Sequence, residues 1–386
     1  MTHRSTCPGC GSDQLTGEFR LQRQPVVLNY RFTNARAAAR VPRRDIHLRQ
    51  CRQCGLIFNA AFAPEAVLYD ENYENRQCFS PAFTAHLERL AQDLTQRYAL
   101  AKGGILEVGC GKGDFLRLLC RTAGTLGVGF DTSFEPPIEP EQTQVEFHRS
   151  YLQASAVPGN FAAVICRHVI EHVPDIGSFL GELQAIAAAA RARLVLLETP
   201  RFEWIAKHQC VWDIFYEHCN YFPSPTLAHL CRRAGFRVLR QRAVFGGQYQ
   251  TLELSPEPQS QRAPRPPGIR PTSSLVSFAR TAERKLAAIE QLIRRKSKNG
   301  PWGIWGAGAK GVAIINQLPQ ERPTMVVDSN PAKQGGAIPG TRVPIVAPDD
   351  PRLDTLKLIL IANPNYAAEI RATLRERHYT GAVAIL

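Results

Sequence analysis

Residues 105–114, Ile-Leu-Glu-Val-Gly-Cys-Gly-Lys-Gly-Asp, run from an apolar strand through three alternating glycines into the start of a helix. Gly109, Gly111 and Gly113 let the backbone come close to a ligand, and a helix opening near Asp114 aims its free N–H groups at that ligand. The turn is a cofactor cradle rather than a plain connection. Outward from it, short apolar runs at 127–130, 145–148, 162–166 and 193–198 alternate with helical stretches such as 179–189. That is the βαβ pattern of an α/β protein with a doubly wound parallel sheet, in which ligands bind at the carboxyl ends of the strands.

The spacing of the glycines narrows the cofactor. A dinucleotide site reads G-x-G-x-x-G and cradles a pyrophosphate, whereas here the order is G-x-G-x-G. Glu107 lies inside the strand just before the glycines, and Asp131 ends the next apolar run, 126–130. Two acids around a glycine turn suit a ligand with an ammonium group and ribose hydroxyls but no phosphate, which is S-adenosylmethionine (SAM). The segment resembles the first motif of class I SAM-dependent methyltransferases, with Asp131 in the ribose position. After the fourth strand comes Arg167-His168-Val169-Ile170-Glu171-His172, similar to the fourth motif of small-molecule methyltransferases. This likeness puts Arg167 and His168 near the methionine end of the cofactor.

Ahead of this domain stand two matched turns, Cys7-Pro8-Gly9-Cys10-Gly11 and Cys51-Arg52-Gln53-Cys54-Gly55. Each offers two thiolates to one tetrahedral ion, so Cys7, Cys10, Cys51 and Cys54 predict a structural Zn²⁺. Four sulfur ligands leave no open position for catalysis. Alternation at 45–49 fits a small β-rich module that the metal helps to fold.

The composition, 44% hydrophobic and 21% charged over 386 residues, describes a globular chain long enough for two or three domains. No apolar run reaches the roughly 18 residues of a membrane span. With no signal-peptide core and eleven cysteines, a reducing, cytoplasmic setting is expected. The net charge of +13 is uneven: residues 1–60 and 255–300 each carry ten basic and three acidic residues, leaving the cofactor domain near neutral. Basic flanks are open to solvent, to an anionic small substrate such as a nucleotide diphosphate, or to RNA.

Pro-rich residues 256–271 read as a linker, followed by a helix with Leu286, Ile289, Leu292 and Ile293 on one face. Then Gly306, Gly308 and Gly311 match G-x-G-x-x-G, with Asp328 ending the strand at 325–327. The remaining length is too short for a full dinucleotide domain, so a half-Rossmann module that grips substrate is expected in preference to NAD binding. The expected boundaries are 1–75 for the zinc module, 76–255 for the methyltransferase domain, 256–299 for linker and helix, and 300–386 for the Rossmann-like domain.

Between the fifth strand and these elements, Phe215-Tyr216-Glu217-His218 gathers a base, a carboxylate and a phenol where a substrate would meet the cofactor. Methylating carbon beside a ketone requires a base to take a proton and donors to steady the enolate. His218 suits the base, with Glu217 and Tyr216 tuning or sharing the work. Taken in order, the zinc turns, the SAM motif, this Tyr-Glu-His and the terminal Gly-rich turn with Asp328-Ser329-Asn330-Pro331 resemble the three-domain C-methyltransferases of nucleotide-linked 4-keto deoxysugars in antibiotic pathways. The resemblance implies zinc on Cys7, Cys10, Cys51 and Cys54, SAM on Gly109, Gly111 and Asp131, His218 as base beside Glu217, and a C-terminal domain that helps enclose a nucleotide sugar. This chain departs from the family's Tyr-His-Glu-His at Phe215 and Tyr216, and Tyr73 stands where the family has a further tyrosine. A monomer acting on a small molecule is the expected state. The competing readings are a nucleic-acid methyltransferase and a zinc scaffold without catalysis. The first lacks the Asp/Asn-Pro-Pro-aromatic run after the fourth strand, and the look-alike Asn363-Pro364-Asn365-Tyr366 is expected to lie away from the SAM site.

Overall fold

The computed structural model describes residues 4–136, 144–256, 274–298, 300–318 and 320–386. Most of the Pro-rich stretch read as a linker therefore lies outside the described residues. The N-terminal part contains β1 (Leu15–Pro25), α1 (Ala35–Ala39), β2 (Arg43–Cys51) and β3 (Ile57–Asn59), with the strands antiparallel in that order. Its fourth strand, Asn220–Tyr221, comes from far down the chain and pairs Tyr221 with Ile57.

The middle region runs α2 (Pro81–Tyr98), β4 (Gly104–Val108), α3 (Asp114–Ala123), β5 (Gly127–Phe130), β6 (Val145–His148), β7 (Phe161–Arg167), α4 (Ile176–Ala189), β8 (Leu194–Pro200) and α5 (Phe202–His208). After them come β9 (Asn220–Tyr221), α6 (Ser224–Arg233), β10 (Arg237–Val244) and β11 (Tyr249–Ser255). Its seven-stranded sheet has the order β10-β11-β8-β7-β4-β5-β6. The five strands expected from the alternating runs are parallel, and an antiparallel pair, β10 and β11, completes the sheet beside β8. Strand order reverses between β4 and β7, so the Gly109 turn and the residues after Arg167 open at the same edge.

Local sequence explains these elements. β7 is buried at every position because helices cover both faces of a central parallel strand. α2 opens on Ser80, whose hydroxyl accepts the Phe83 N–H at 3.2 Å, with Pro81 in the first turn. Its buried face is Phe83, Leu87, Leu90, Ala91 and Leu94, at helical spacing. α3 ends at Gly124 in the left-handed conformation and buries Phe115, Leu116, Leu119 and Cys120.

The C-terminal part consists of α7 (Leu275–Ser297), β12 (Trp302–Trp305), α8 (Ala309–Gln317), β13 (Met325–Val327), β14 (Ile345–Val346), β15 (Leu358–Ile361), α9 (Ala367–Glu376) and β16 (Ala382–Ile385). Five parallel strands in the order β14-β13-β12-β15-β16 form a Rossmann-like sheet whose order reverses between β12 and β15. α7 binds the parts together: Phe278 meets Phe19 of β1 at 5.3 Å and Phe202 of α5 at 5.9 Å between ring centres. One continuous core thus joins Ile46 and Leu48 of the first sheet, Trp212 and Tyr216 of the middle region, and Ile304 and Ile314 of the last. No helix among the described residues is long and apolar enough to cross a membrane.

Candidate active site

The two glycine turns face one cavity of about 350 Å³, lined by all three parts of the chain. Glu107, Gly109, Gly111, Arg167, His168 and His218 contribute from the middle region, Asn29 and Tyr73 from the N-terminal side, and Gly306, Lys310, Asn330 and Lys333 from the last domain. Gly113, Asp131, Tyr216 and Glu217 are not on its wall.

Gly109 has φ +75, and a Cβ there would come within 2.2 Å of Val169 Cγ2, so only glycine fits the turn. Asp131 braces the same turn: its Oδ2 accepts the Gly111 N–H at 2.8 Å, and its Oδ1 accepts Ser133 N–H at 2.7 Å and Oγ–H at 2.6 Å. A carboxylate offers about four acceptor positions, so capacity for a ribose hydroxyl remains. Glu107, 2% exposed, leaves Oε2 without a hydrogen bond. Burial pushes its carboxyl up to about 8, against the pull of Arg167 and with the repulsion of Asp131. An unpaired buried acid facing the cavity fits the ammonium end of SAM.

Arg167 and His168 are drawn into an acid–base chain rather than left free. Arg167 Nε donates to Glu198 Oε2 at 2.9 Å, and its guanidinium lies 4.3 Å over the Phe115 ring. His168, in the left-handed region at φ +54, has Nδ1 3.4 Å from Glu171 Oε1 and Nε2 3.4 Å from Glu198 Oε1. Burial opposes its charge, but the two carboxylates prevail and push its pKa up to about 9.

The His218 loop is held from both sides. Trp212 Nε1–H donates to the Ala362 carbonyl at 2.9 Å, Gln317 Nε2 donates to Val211 and Ile214 carbonyls at 3.2 and 3.1 Å, and Lys310 pairs with Asp213. On the other side, the Asn59 N–H donates to the Cys219 carbonyl at 2.9 Å, just before β9 joins β3. Glu217 faces away from the cavity: Oε1 accepts the Leu28 N–H at 2.6 Å and Oε2 accepts the Tyr73 hydroxyl at 3.2 Å. Tyr216 also points away, its hydroxyl accepting the Ala63 N–H at 2.9 Å. Among the three residues of the Tyr-Glu-His run, His218 alone reaches the cavity. Burial, then the charges of His172, His168 and Lys310, hold it well below the usual imidazole range, so the ring is neutral.

Sequence reasoning singled out neither Glu171 nor His172, although both stand in the quoted run after Arg167. Both line the cavity, and His172 packs edge-on to His218 with ring centres 4.7 Å apart. Lys333 was missed because no glycine pattern marks it. It is 9% exposed, and among the described residues its Nζ donates to two neutral oxygens, Ala307 O at 3.2 Å and Asn29 Oδ1 at 3.5 Å, while the carboxylates of Glu74 and Glu217 are close enough to feel its charge. The Asn363–Tyr366 run, expected away from the cofactor cradle, in fact follows β15 onto the cavity wall. Tyr366 bonds Gln77 at 2.5 Å and Asn363 bonds Gln248 at 3.0 Å, so the contacts of this run brace domain against domain.

The second glycine turn repeats the logic of the first. Asp328 Oδ2 accepts the Ala307 N–H at 2.6 Å, and a Cβ on Gly311 would lie 1.9 Å from the Gly306 carbonyl oxygen, so α8 packs directly on the turn. Off the cavity wall, the four cysteines converge with Cys7 and Cys54 sulfurs 3.5 Å apart and Cys10 and Cys51 sulfurs 3.5 Å apart. These separations are close to the edge of a tetrahedron with metal–sulfur bonds of about 2.3 Å and far beyond a disulfide bond. Gly11 and Gly55 each donate to the carbonyl of the first cysteine of their turn, at 2.9 and 3.0 Å, making the two turns near copies.

Residues 83–241 match the methyltransferase domain family, and residues 265–386 match the C-methyltransferase C-terminal domain family. The chain is 27% identical over 341 residues to C-methyltransferase NovU of Streptomyces niveus, covering 83% of this chain and 80% of that one. It is 26% identical over 170 residues to 2-phytyl-1,4-naphtoquinone methyltransferase of Thermosynechococcus vestitus, covering 37% and 76%. Among solved structures, magnesium protoporphyrin IX methyltransferase from Synechocystis PCC 6803 with bound SAH aligns at a TM-score of 0.35 and 17% identity, over 45% of this chain and 83% of that one. The two matched domains meet at the cavity, and with these likenesses the chain is a SAM-dependent methyltransferase.

Proposed function

We propose that the enzyme methylates a carbon next to a carbonyl in a nucleotide-linked deoxysugar, with His218 as the base and a structural Zn²⁺ on Cys7, Cys10, Cys51 and Cys54. The observation that carries this reading is the shared cavity, where the Gly109 cradle, the His218 ring and the buried ammonium of Lys333 face the same space. SAM, when bound, supplies an electrophilic methyl group on sulfonium. Glu107 and Asp131 would hold its ammonium and ribose. His218 removes the proton that the acidic carbon must lose, and its ring nitrogens make no hydrogen bond among the described residues. Lys333 and Lys310 suit an anionic group of the substrate, as a nucleoside diphosphate provides. α8 and the Gly109 turn line the same cavity as His218, so a sugar diphosphate held at α8 would share that space with the cofactor.

Glu217 acts behind this wall, tying Leu28 and Tyr73 to the His218 loop. Phe215 replaces the phenol that the resembled family carries, so enolate stabilisation falls to other donors on the wall. The test is incubation with methyl-labelled SAM and a nucleotide-linked 4-keto-6-deoxyhexose, with the product read by NMR. The reading expects label on a sugar carbon, and a His218→Ala variant that binds SAH normally but does not turn over. Normal turnover in that variant excludes His218 as the base.

A further inference from the structure

We infer that Glu171, His172 and His218 form a second metal site, distinct from the four cysteines, which takes one divalent transition ion of the Co²⁺, Ni²⁺ and Zn²⁺ class. One donor atom from each of the three lies within 4.8 Å of the others, and all three residues line the cavity.

His172 has Nδ1 at 3.0 Å from the Glu217 carbonyl and 2.8 Å from the Tyr69 hydroxyl. A carbonyl can only accept, so Nδ1 carries the hydrogen and Nε2 keeps its lone pair. Metal-binding histidines are usually held in this way, with the nitrogen that does not face the ion donating to a backbone carbonyl. Glu171, 1% exposed, uses Oε2 to accept the Thr199 hydroxyl at 2.9 Å. Its Oε1 has no hydrogen bond, and its nearest charged neighbour is His168 Nδ1 at 3.4 Å. Neither ring nitrogen of His218 makes a hydrogen bond among the described residues, and its ring is steadied by Phe215 at 4.1 Å.

Two imidazoles and one carboxylate select borderline transition ions over Mg²⁺ or Ca²⁺, which prefer all-oxygen sites. Three protein ligands also leave coordination positions open toward the cavity, unlike the closed cysteine site. An ion seated here occupies a lone pair of His218. Taking His218 as the base, which rests on the proposed function, the ion therefore blocks proton removal and switches the enzyme off reversibly.

The experiment is a Co²⁺ titration of the full chain with its cysteine site already filled by zinc, followed by visible absorption. One further Co²⁺ per chain is expected, with weak d–d bands and no thiolate-to-cobalt charge-transfer band. Glu171→Gln and His172→Ala should each weaken it by at least about tenfold, and Thr199→Val, which only frees Glu171, by about tenfold, with SAH binding retained as the measure of folding. Turnover of the wild type should fall in proportion to cobalt bound and return when a chelator removes it while zinc stays at one per chain. No uptake beyond the cysteine site, or uptake indifferent to all three substitutions, overturns the site. Uptake without loss of turnover overturns the blocking role. Normal turnover in His218→Ala would sink the base reading and leave the cobalt titration to stand by itself.

Discussion

SAM affinity should depend on pH through Glu107, and the structure sets the size of the effect. Burial is the main cause of its elevated pKa, about 8 against the ordinary 4.5, and Oε2 has no hydrogen bond to offset it. The cofactor's ammonium requires the ionised carboxylate, so binding below that pKa must first expel a proton. At pH 7 the carboxyl is about nine-tenths protonated, and ionising it costs about 1.4 kcal/mol, a factor of about ten in affinity; at pH 6 the cost doubles to about 2.7 kcal/mol. The dissociation constant for SAH, which keeps the ammonium, should fall about tenfold from pH 6 to 7, fall further to pH 8 and then level. Calorimetry at pH 7 in buffers of different ionisation enthalpy should show close to one proton released per ligand. The sign for stability follows from the same raised pKa. The unfolded chain loses this proton above about 4.5 and the folded one only near 8, so the ligand-free protein loses stability as pH rises through that window. Glu107→Gln should abolish the affinity trend and remove Glu107's share of the stability trend, leaving the share of Glu217, whose buried carboxyl is also pushed up, to about 7. A flat affinity between pH 6 and 8, or a slope that survives Glu107→Gln, refutes the reasoning.

Three further outcomes follow from other parts of the molecule. Gly109→Ala forces a left-handed side chain and a contact with Val169 at 2.2 Å. Strain and overpacking of about 2–5 kcal/mol together should weaken SAH binding more than roughly 30-fold by calorimetry. Lys333→Ala removes a buried ammonium whose hydrogen bonds among the described residues go to neutral oxygens. It should raise KM for the nucleotide substrate roughly 10- to 100-fold without changing SAH affinity, as steady-state kinetics would show. Zinc removal by a strong chelator, or Cys54→Ser, should lower the melting temperature by roughly 10 °C or more. Activity should fall with it, because the sheet that the cysteines anchor also holds β9 and the end of the His218 loop.

Much of this arrangement was legible from local pattern. The Gly109 turn, the five strands around it and the paired cysteine turns each rest on short stretches of sequence, where turn and strand chemistry leave a signature. What escaped depends on contacts across long separations. β9 is two residues long and has no periodicity of its own, and it exists because β3 offers an edge. Glu217 reads as catalytic beside His218, yet its carboxylate is claimed by Leu28, 189 positions away. Tyr216 is likewise turned aside by Ala63. The pair β10 and β11 was overlooked because half-exposed positions in β10 blur the alternation. Asn363–Tyr366 reached the cavity through domain packing, which no motif records.

The central claim, that His218 takes a proton from a carbon next to a carbonyl before that carbon is methylated, is tested most directly by hydrogen exchange. The nucleotide-linked 4-keto-6-deoxyhexose is incubated with enzyme and SAH in D₂O and followed by proton NMR. The account predicts loss of the signal from the carbon beside the keto group with wild-type enzyme, and no loss above background with His218→Ala at saturating SAH. Equal exchange by both proteins, or methylation of an oxygen or nitrogen when SAM replaces SAH, would contradict it.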